Sequence, residues 1–165
     1  MKLQIVAFGK LKTPGLREAL DYYKKLIRTW APLDEIELKP IAVPDKSAAS
    51  RKQIQEKEGA LLLERLDGSL KSRGILVLLD ETGKSLRTQE WADKIQAWED
   101  EGIREISFCI GSSLGFSPEV RASARFSVNL GAQTLPHELA RVVLGEQLYR
   151  AWSVIKKHPY HNEGS

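Results

Sequence analysis

Short apolar runs alternate with longer stretches of helical periodicity along the whole chain. The apolar runs fall at residues 2–8, 35–39, 75–79, 106–110 and 126–130. Short strands that alternate with helical patterns predict an α/β fold, in which a mostly parallel sheet is flanked by helices. The run 75–79 is apolar throughout, which indicates a strand at the sheet centre. In the run 35–39, Ile36 and Leu38 alternate with charges, which indicates a strand in an edge or half-exposed position.

The predicted helices begin where capping residues stand. Thr13, with Pro14 at the first helical position, predicts the start of a helix that continues to about residue 27. Ser50 and Gln53 form a capping box for a second helix, which ends near Arg65. Further helices are predicted at residues 88–101, in a short segment that begins at residue 117, and at about 138–156.

The last predicted helix is apolar over more than one face. Its apolar side chains are Leu139, Val142, Val143, Leu144, Leu148, Tyr149, Trp152 and Ile155. Gly145 inside this helix costs about 1 kcal/mol relative to alanine, a cost that is easier to understand if another backbone packs closely there. Two interpretations remain open: a second apolar face that meets its own copy in a symmetric dimer, or a central helix buried all round.

Length and composition indicate one domain that spans residues 1–165. The chain carries 25 basic and 22 acidic side chains, a formal net charge of +3, and a single cysteine. Residues 1–75 hold 15 of the basic and 10 of the acidic side chains, which permits an anionic partner there. Cys109 lies in an apolar run without adjacent Lys, Arg or His, so we expect an inert buried thiol. No membrane-length apolar run or signal-peptide pattern occurs, so we expect a cytoplasmic protein.

Two short motifs lack the spacing that their chemistry needs. Gly83-Lys84-Ser85 follows a strand, but a phosphate loop needs a glycine at position 78, which is a leucine. His137-Glu138 is half of a zinc-protease motif, but the second histidine would be residue 141, which is an arginine. The sequence therefore predicts neither an ATP site nor a metal site.

A glycine-rich segment between two predicted elements has two interpretations. Gly111-Ser112-Ser113-Leu114-Gly115 matches the serine elbow of α/β-hydrolases and follows a strand, which makes Ser113 a candidate nucleophile with His137 downstream. An elbow leads directly into its helix, however, whereas the next predicted helix begins two residues beyond this motif. The segment can instead join the loops near Leu79 and at residues 131–136 in a small-molecule pocket, because open α/β sheets bind ligands at the carboxyl ends of their strands.

Four segments together resemble one protein family. They are Ile110-Gly111, Leu135-Pro136-His137, Leu148-Tyr149-Arg150-Ala151-Trp152-Ser153 and His158-Pro159-Tyr160-His161. Over nearly its whole length the chain resembles the SPOUT-class RNA methyltransferases that methylate ring nitrogen N3 of a pseudouridine in the 23S ribosomal RNA of the large subunit, the RlmH family. The last two segments, at this spacing from the C-terminus, are the most specific part of the resemblance.

The resemblance implies a fold, a cofactor and an assembly. The fold would be an α/β domain with a deep trefoil knot at about residues 75–157, followed by a substrate-contacting tail of residues 156–165. The cofactor would be S-adenosylmethionine, bound in the knot of an obligate homodimer that acts on ribosomal RNA in an assembled ribosome. The cofactor-binding residues that it implies are Leu79, Gly111, Leu130, Gly131, Ala132, Gln133, Thr134 and Leu135.

The resemblance also directs attention to residues that meet the substrate. Methyl transfer to an imide nitrogen requires loss of its proton, and His161 and His137 are the candidate catalytic bases. We favour His161 because it lies in the tail, whereas His137 can instead cap the last helix. The candidate RNA-contacting residues are Arg150, Lys156, Lys157, His158 and Tyr160. Arg150 has an alternative role in an i, i+4 pair with Glu146.

The glycine loop departs from the family pattern at two positions. The family usually has a second glycine after the first and often an acidic residue before the last, where this chain has Ser112 and Leu114. If the second glycine adopts a left-handed conformation, Ser112 must be strained or the loop must shift. Two alternatives therefore accompany the methyltransferase hypothesis: a small serine hydrolase that uses Ser113, and a catalytically inactive dimeric RNA-binding module.

Overall fold

Strands and helices alternate along the chain in the computed structural model, which describes residues 1–164 and the side chains of residues 1–161. The strands are β1 Lys2–Phe8, β2 Leu33–Leu38, β3 Gly74–Ser85, β4 Glu105–Ile110 and β5 Phe126–Asn129. The helices are α1 Leu16–Ile27, α2 Ala48–Lys71, α3 Thr88–Asp100, α4 Pro118–Ser123 and α5 His137–Ile155, followed by a 3₁₀ helix at Pro159–Gly164. All strand pairs are parallel, in the order β2-β1-β4-β3-β5, which confirms the α/β prediction.

Helices cover both faces of the sheet because the central strands are apolar on both sides. On one face, Ile75 and Val77 of β3 join the core formed with α1, α3 and α5. On the other face, Leu76 and Leu78 of the same strand pack with buried residues of α2 and α4. Cys109 belongs to this second core, and burial raises the pKa of its thiol, which confirms the expected inert cysteine.

Two predicted helix starts are wrong, because the expected capping side chains have other partners. Helix α1 begins at Leu16, after a glycine in the left-handed region, because the Thr13 hydroxyl donates to Glu138 at 2.7 Å instead of capping. Helix α2 begins at Ala48, where the Ser47 hydroxyl accepts from the Ser50 amide at 3.2 Å. It also continues six residues beyond the predicted end, since Leu66 and Leu70 still pack against the sheet.

The apolar strand β3 does not occupy the centre of the sheet. That position belongs to β4, and β3 lies between β4 and the edge strand β5, while β2 forms the other edge as predicted. Strand β3 also extends to Ser85 through an irregularity between Leu79 and Lys84. Gly83 therefore lies in a strand, where an added Cβ would come within 2.6 Å of the Val128 backbone, and it belongs to no phosphate loop.

Helix α5 packs between α1 and α3 within a single copy of the chain. The close approach at Gly145 comes from the Leu20 side chain, since an added Cβ would lie 2.8 Å from Leu20 Cδ1, and not from another backbone. Leu144, Leu148 and Trp152 are fully buried in this way. Some apolar residues of α5 stay half-buried in the single chain: Leu139, Val142, Val143 and Ile155. Their exposed parts are apolar surface that a second copy could cover, so the dimer interpretation stays open.

No helix within residues 1–164 combines the length and apolarity that crossing a membrane requires. The trefoil knot that the resemblance implies stays a prediction.

Candidate functional site

A cavity of about 500 Å³ opens at the edge of the sheet where β3, β4 and β5 end and α5 begins. Because parallel strands end at the same edge, loops distant in sequence meet there. Seven of the eight predicted cofactor-binding residues line this cavity, whereas Ala132 does not. The seven are Leu79, Gly111, Leu130, Gly131, Gln133, Thr134 and Leu135.

Glycines give this cavity its shape at two positions. At Gly111 an added Cβ would lie 3.1 to 3.3 Å from the ring of Phe116, so a side chain there would push this ring away from the strand end. Gly131 has a φ of 130°, a backbone conformation that residues with a side chain rarely adopt. The bare backbone at both positions leaves room for a flat ligand to approach.

The Ser112 position, where the family has glycine, is not strained. Among the described residues only Arg73 and Lys157 combine a side chain with a positive φ, so Ser112 does not need a left-handed backbone. Its hydroxyl donates to Glu58 Oε2 at 2.6 Å and accepts from the Leu114 amide at 3.2 Å. The predicted strain is therefore absent, and the serine instead anchors the loop to α2.

Helix α2 supports the glycine loop through residues that the sequence analysis did not identify. Gln55 Nε2 donates to the carbonyl of Leu114 at 2.7 Å, one turn before Glu58. Burial raises the pKa of the Glu58 carboxyl, an effect that the Ser112 hydrogen bond and the charge of His137 partly oppose. No local pattern marks Glu58, because its partner lies 54 residues away.

Asp80 lines the cavity from the irregular part of β3 that follows Leu79. It accepts from the Thr82 amide at 2.9 Å and from the Thr82 hydroxyl at 2.8 Å, and it forms an ion pair with Arg121. Burial opposes its ionisation, but the hydrogen bonds from Thr82 and the Arg121 guanidinium outweigh burial and lower its pKa. Because Arg121 also lines the cavity, this ion pair holds fixed charges of both signs in the cavity wall.

Two side-chain contacts hold the loop of residues 130–135 in place. Asn129 Oδ1 accepts from the Gly131 amide at 3.1 Å and from the Ser85 hydroxyl at 2.8 Å. Further along, the Thr134 hydroxyl donates to Glu81 Oε1 at 3.2 Å. These contacts fix both ends of the loop that forms one wall of the cavity.

The predicted RNA-contacting residues collect at the opposite end of α5. Arg150 Nε donates to Glu146 Oε1 at 2.9 Å, which confirms the i, i+4 pair, and the guanidinium lies 4.9 Å from the centre of the Tyr160 ring. The Tyr160 hydroxyl donates to the same Glu146 oxygen at 3.2 Å. Burial and the Glu146 charge raise the pKa of Tyr160, so the phenol stays protonated at neutral pH.

The remaining tail residues extend this cluster with aromatic rings and positive charge. The rings of His158 and Trp30 meet edge to face at 5.3 Å between centres, and Trp30 stacks on Tyr149. The Lys156 ammonium lies 5.2 Å from the centre of the Trp152 ring, and Lys157 is exposed.

The two candidate bases lie at different ends of α5. His137 lines the cavity at the first residue of α5, and His161 lies in the 3₁₀ helix beyond the last residue of α5. The nineteen residues of α5 span about 28 Å, and the 3₁₀ helix that carries His161 folds back against the later turns of α5, where the Tyr160 hydroxyl reaches Glu146. The interpretation of His137 as a helix cap is wrong, because Pro136 occupies the cap and no side chain bonds there. His161 Nδ1 is buried without a hydrogen-bond partner in the described structure.

The serine hydrolase alternative gains no support from the geometry. Ser113 is exposed, and among the described residues no hydrogen bond connects it to His137. The next helix begins only at Pro118, so the segment is not a strand-to-helix elbow.

Among the residues that the structure describes, no three His, Cys, Asp or Glu side chains form a cluster that could hold a metal ion.

Comparison with known proteins agrees with this architecture. The chain is similar in fold to a probable methylase family protein from Haemophilus influenzae Rd KW20, with a TM-score of 0.53, 13% identity and coverage of 96% of this chain and 68% of the other. A family model described as a predicted SPOUT methyltransferase matches residues 1–161.

Sequence relatives carry one shared name, ribosomal RNA large subunit methyltransferase H. The relative from Chelativorans sp. (strain BNC1) is 37% identical over 99% of this chain and 92% of its own length. A relative from Clostridium botulinum (strain 657 / Type Ba4) is 35% identical over 98% of this chain and 99% of its own. One from Streptococcus pneumoniae (strain CGSP14) is 36% identical with the same coverage. The chain therefore belongs to the SPOUT methyltransferase family, among the relatives of ribosomal RNA large subunit methyltransferase H.

Proposed function

We propose that this protein transfers a methyl group from S-adenosylmethionine to N3 of a pseudouridine in 23S ribosomal RNA of the large ribosomal subunit. It does so as a cytoplasmic homodimer, with residues 1–165 as one domain, a knotted cofactor region at about 75–157 and an RNA-contacting tail at 156–165. One observation carries the proposal. In this chain of the SPOUT methyltransferase family, seven residues that were predicted to bind the cofactor come from three separate segments and line one cavity.

The cavity fits a nucleoside-type cofactor. Its volume of about 500 Å³ lies in the range of small-molecule pockets, roughly 300 to 1,000 Å³. Leu79, Ile110 and Leu130 offer apolar contact, while Gly111 and Gly131 expose backbone groups that can bond the edge of a ring. The carboxylates of Asp80 and Glu81 line the cavity beside Arg121, so polar groups of both signs are available to a charged ligand.

S-adenosylmethionine, when bound, supplies an electrophilic methyl group on a positively charged sulfur. Leu79, Gly111 and the loop of residues 130–135 would hold this donor, and Phe116 would help to restrict water around it. The donor would supply a direct substitution that needs no nucleophile on the protein: N3 would gain the methyl group as the bond between that carbon and the sulfur breaks, S-adenosylhomocysteine would leave, and the N3 proton would pass to a base or to solvent. His137 is the candidate base that this chain's own cavity contains.

The tail completes the cavity of a second copy in this proposal. Arg150, Tyr160 and His161 belong to the later turns of α5 and the 3₁₀ helix that follows it, and none of these three residues lines the cavity of the same chain. An antiparallel pair of α5 helices brings the tail of one protomer to the cavity of its partner. The half-buried outer residues Val142 and Val143 lie on α5 as an interface would require.

The first test is calorimetric titration of the purified protein with S-adenosylmethionine, with the oligomeric mass measured on the same sample. We expect saturable binding with one molecule per protomer of a dimer. Methyl transfer is then measured by mass spectrometry of nucleosides from assembled ribosomes that lack the modification, and we expect 3-methylpseudouridine. A dimer that binds RNA, but neither binds S-adenosylmethionine nor transfers a methyl group, would be the inactive RNA-binding module. Activity on esters that Ser113→Ala abolishes would favour the hydrolase.

Mixed dimers test the shared site. One protomer carries Gly111→Trp, which fills the cavity, and the other lacks residues 156–165. Neither homodimer should methylate RNA, whereas the mixed dimer regains one intact site and should recover up to half of the wild-type activity per dimer. If the mixed dimer stays inactive while each homodimer is folded, the tail does not act across the interface.

A further inference from the structure

Seven exposed basic side chains surround the edge of the sheet where β1 and β2 end. We call them the basic rim: Lys10, Lys12, Lys39, Lys46, Arg51, Lys52 and Lys57. None of them forms an ion pair with a residue that the structure describes. Their ammonium and guanidinium groups are therefore available to an external anion.

The positive charge of the chain is concentrated at this rim. Residues 9–15 and 39–57 together hold seven basic and two acidic side chains, out of 25 and 22 in the whole chain. The rest of the chain, with 18 basic and 20 acidic side chains, is slightly negative. One of the two rim acids, Asp45, already accepts from the Ser47 amide at 2.7 Å and the Ser50 hydroxyl at 2.9 Å. The rim thus attracts anions although the net charge of the chain is small.

Backbone and side-chain contacts join the rim to the cofactor cavity. The Gly9 amide donates to the carbonyl of Leu38 at 2.8 Å, which brings the loops after β1 and β2 together. The Thr13 amide donates to Glu138 at 3.1 Å, beside the cavity residue His137. Near the start of α2, Gln55 bonds the glycine loop. The segments that carry the basic side chains are therefore bonded to residues next to the cavity lining.

At the opposite edge of the sheet, basic side chains form ion pairs with acidic ones. There Lys2 pairs with Asp34 at 3.3 Å and with Glu105 at 3.6 Å, and Arg125 pairs with Glu101 at 2.9 Å. Acidic partners thus accompany basic side chains at that edge, while the rim has almost none.

We propose that the basic rim binds the phosphate backbone of the ribosomal RNA that surrounds the target nucleotide. This inference rests on the proposed function and extends it from the target base to its neighbourhood. Unpaired Lys and Arg side chains bind phosphates by releasing counterions, and such contacts orient a protein without reading sequence. The rim therefore positions the nucleic acid, while the cavity and the tail act on the base.

Two variants with equal net charge test the proposal. The rim variant replaces Lys39, Lys46, Arg51 and Lys52 with Gln. The control variant replaces Arg65, Lys71, Arg73 and Arg104 with Gln, all exposed and distant from the cavity. Each has a formal net charge of −1 instead of +3. Binding to protein-free 23S ribosomal RNA and to large subunits is measured over a series of salt concentrations, together with the KM for large subunits and the Kd for S-adenosylmethionine.

For the rim variant we expect the slope of log K against log salt to fall by about 3, since each phosphate contact contributes roughly 0.7 to 0.9. We also expect its KM for large subunits to rise at least tenfold, with cofactor affinity within twofold of wild type. The control should change the slope by less than about 1.

Equal losses of RNA binding in both variants would overturn the inference, because they would reflect net charge alone, and so would wild-type binding by the rim variant. If the rim variant binds large subunits more weakly but free RNA as well as wild type does, the rim contacts a ribosomal protein instead. Loss of S-adenosylmethionine binding in the rim variant would also overturn the inference. Failure of the proposed function is distinguishable, because a wild-type protein that transfers no methyl group can still show the RNA-binding difference between the two variants.

Discussion

The hydrogen bond between Ser112 and Glu58 should control how well the cofactor loop is formed. Glu58 is only 5% exposed, and its contact with the Ser112 hydroxyl is 2.6 Å long. The same hydroxyl accepts from the Leu114 amide, so its loss affects two contacts within the loop. Glu58→Ala, Ser112→Ala and the double variant therefore form a cycle that isolates this pair.

The expected magnitudes follow from burial. A hydrogen bond to a charged group contributes roughly 1.5 to 3 kcal/mol, and a buried polar group that loses its partner costs a comparable amount. Each single variant leaves one partner unsatisfied, whereas the double variant removes both. We therefore expect each single variant to weaken S-adenosylmethionine binding by about tenfold or more, and the double variant by little more than either one. The coupling energy should be about 1 to 2 kcal/mol.

Calorimetric titration of all four proteins gives the cofactor affinities, and urea unfolding gives the free energies of unfolding. A coupling energy below about 0.3 kcal/mol would mean that the two residues act independently, and the reasoning would be refuted. Unchanged cofactor affinity in Glu58→Ala, in a protein that stays folded, would refute it as well. Gln55→Ala is a useful comparison, because it removes a different contact between α2 and the loop.

The dependence of stability on pH provides a second measurement on Glu58. Burial raises the pKa of its carboxyl in the folded state, so its contribution to stability is complete below the unfolded pKa, about 4.3, and is lost as pH rises through the folded pKa. Glu58→Gln does not titrate and keeps an oxygen that accepts from Ser112. Between about pH 4 and pH 8 the Gln variant should therefore gain stability relative to wild type. A constant difference across this range would contradict the raised pKa.

Local patterns predicted the strands better than the helix ends. The apolar pattern predicts β1 at residues 2–8, because helices bury both faces of an interior strand in a parallel sheet. The start of α1 depends instead on Thr13, whose hydroxyl bonds a carboxylate 125 residues away. The order of the strands is also non-local, and an apolar strand such as β3 can lie anywhere within the interior of the sheet.

The candidate site was predictable only where the family resemblance or the topology carried it. Gly111 and Gly131 follow strands that end at one edge, so their meeting in a cavity follows from a parallel sheet. Glu58 and Asp80 were missed, because a carboxylate in a helix or after a strand has no pattern that distinguishes it from a solvated one. His137 and His161 lie at different ends of α5, because this helix is uninterrupted. The sequence predicts the helix, but only the structure shows which of the two histidines lines the cavity.

Two further predictions concern how α5 is held. Arg141 is 2% exposed and donates to Glu37 at 2.9 Å. Arg141→Met should therefore lower the free energy of unfolding in urea by about 3 kcal/mol. A loss below about 1 kcal/mol would show that Arg17 and Lys24 alone satisfy Glu35 and Glu37. At Gly145 an added Cβ would lie 2.8 Å from Leu20 Cδ1, so overpacking should outweigh the helical gain of about 1 kcal/mol and make Gly145→Ala destabilising by about 1 to 2 kcal/mol. Gly68 in α2 has nothing within 4 Å of the same position, and Gly68→Ala should stabilise by about 0.5 to 1 kcal/mol. Because both changes add one methyl group to a helical glycine, opposite signs isolate the packing of α1 on α5, and equal signs would contradict it.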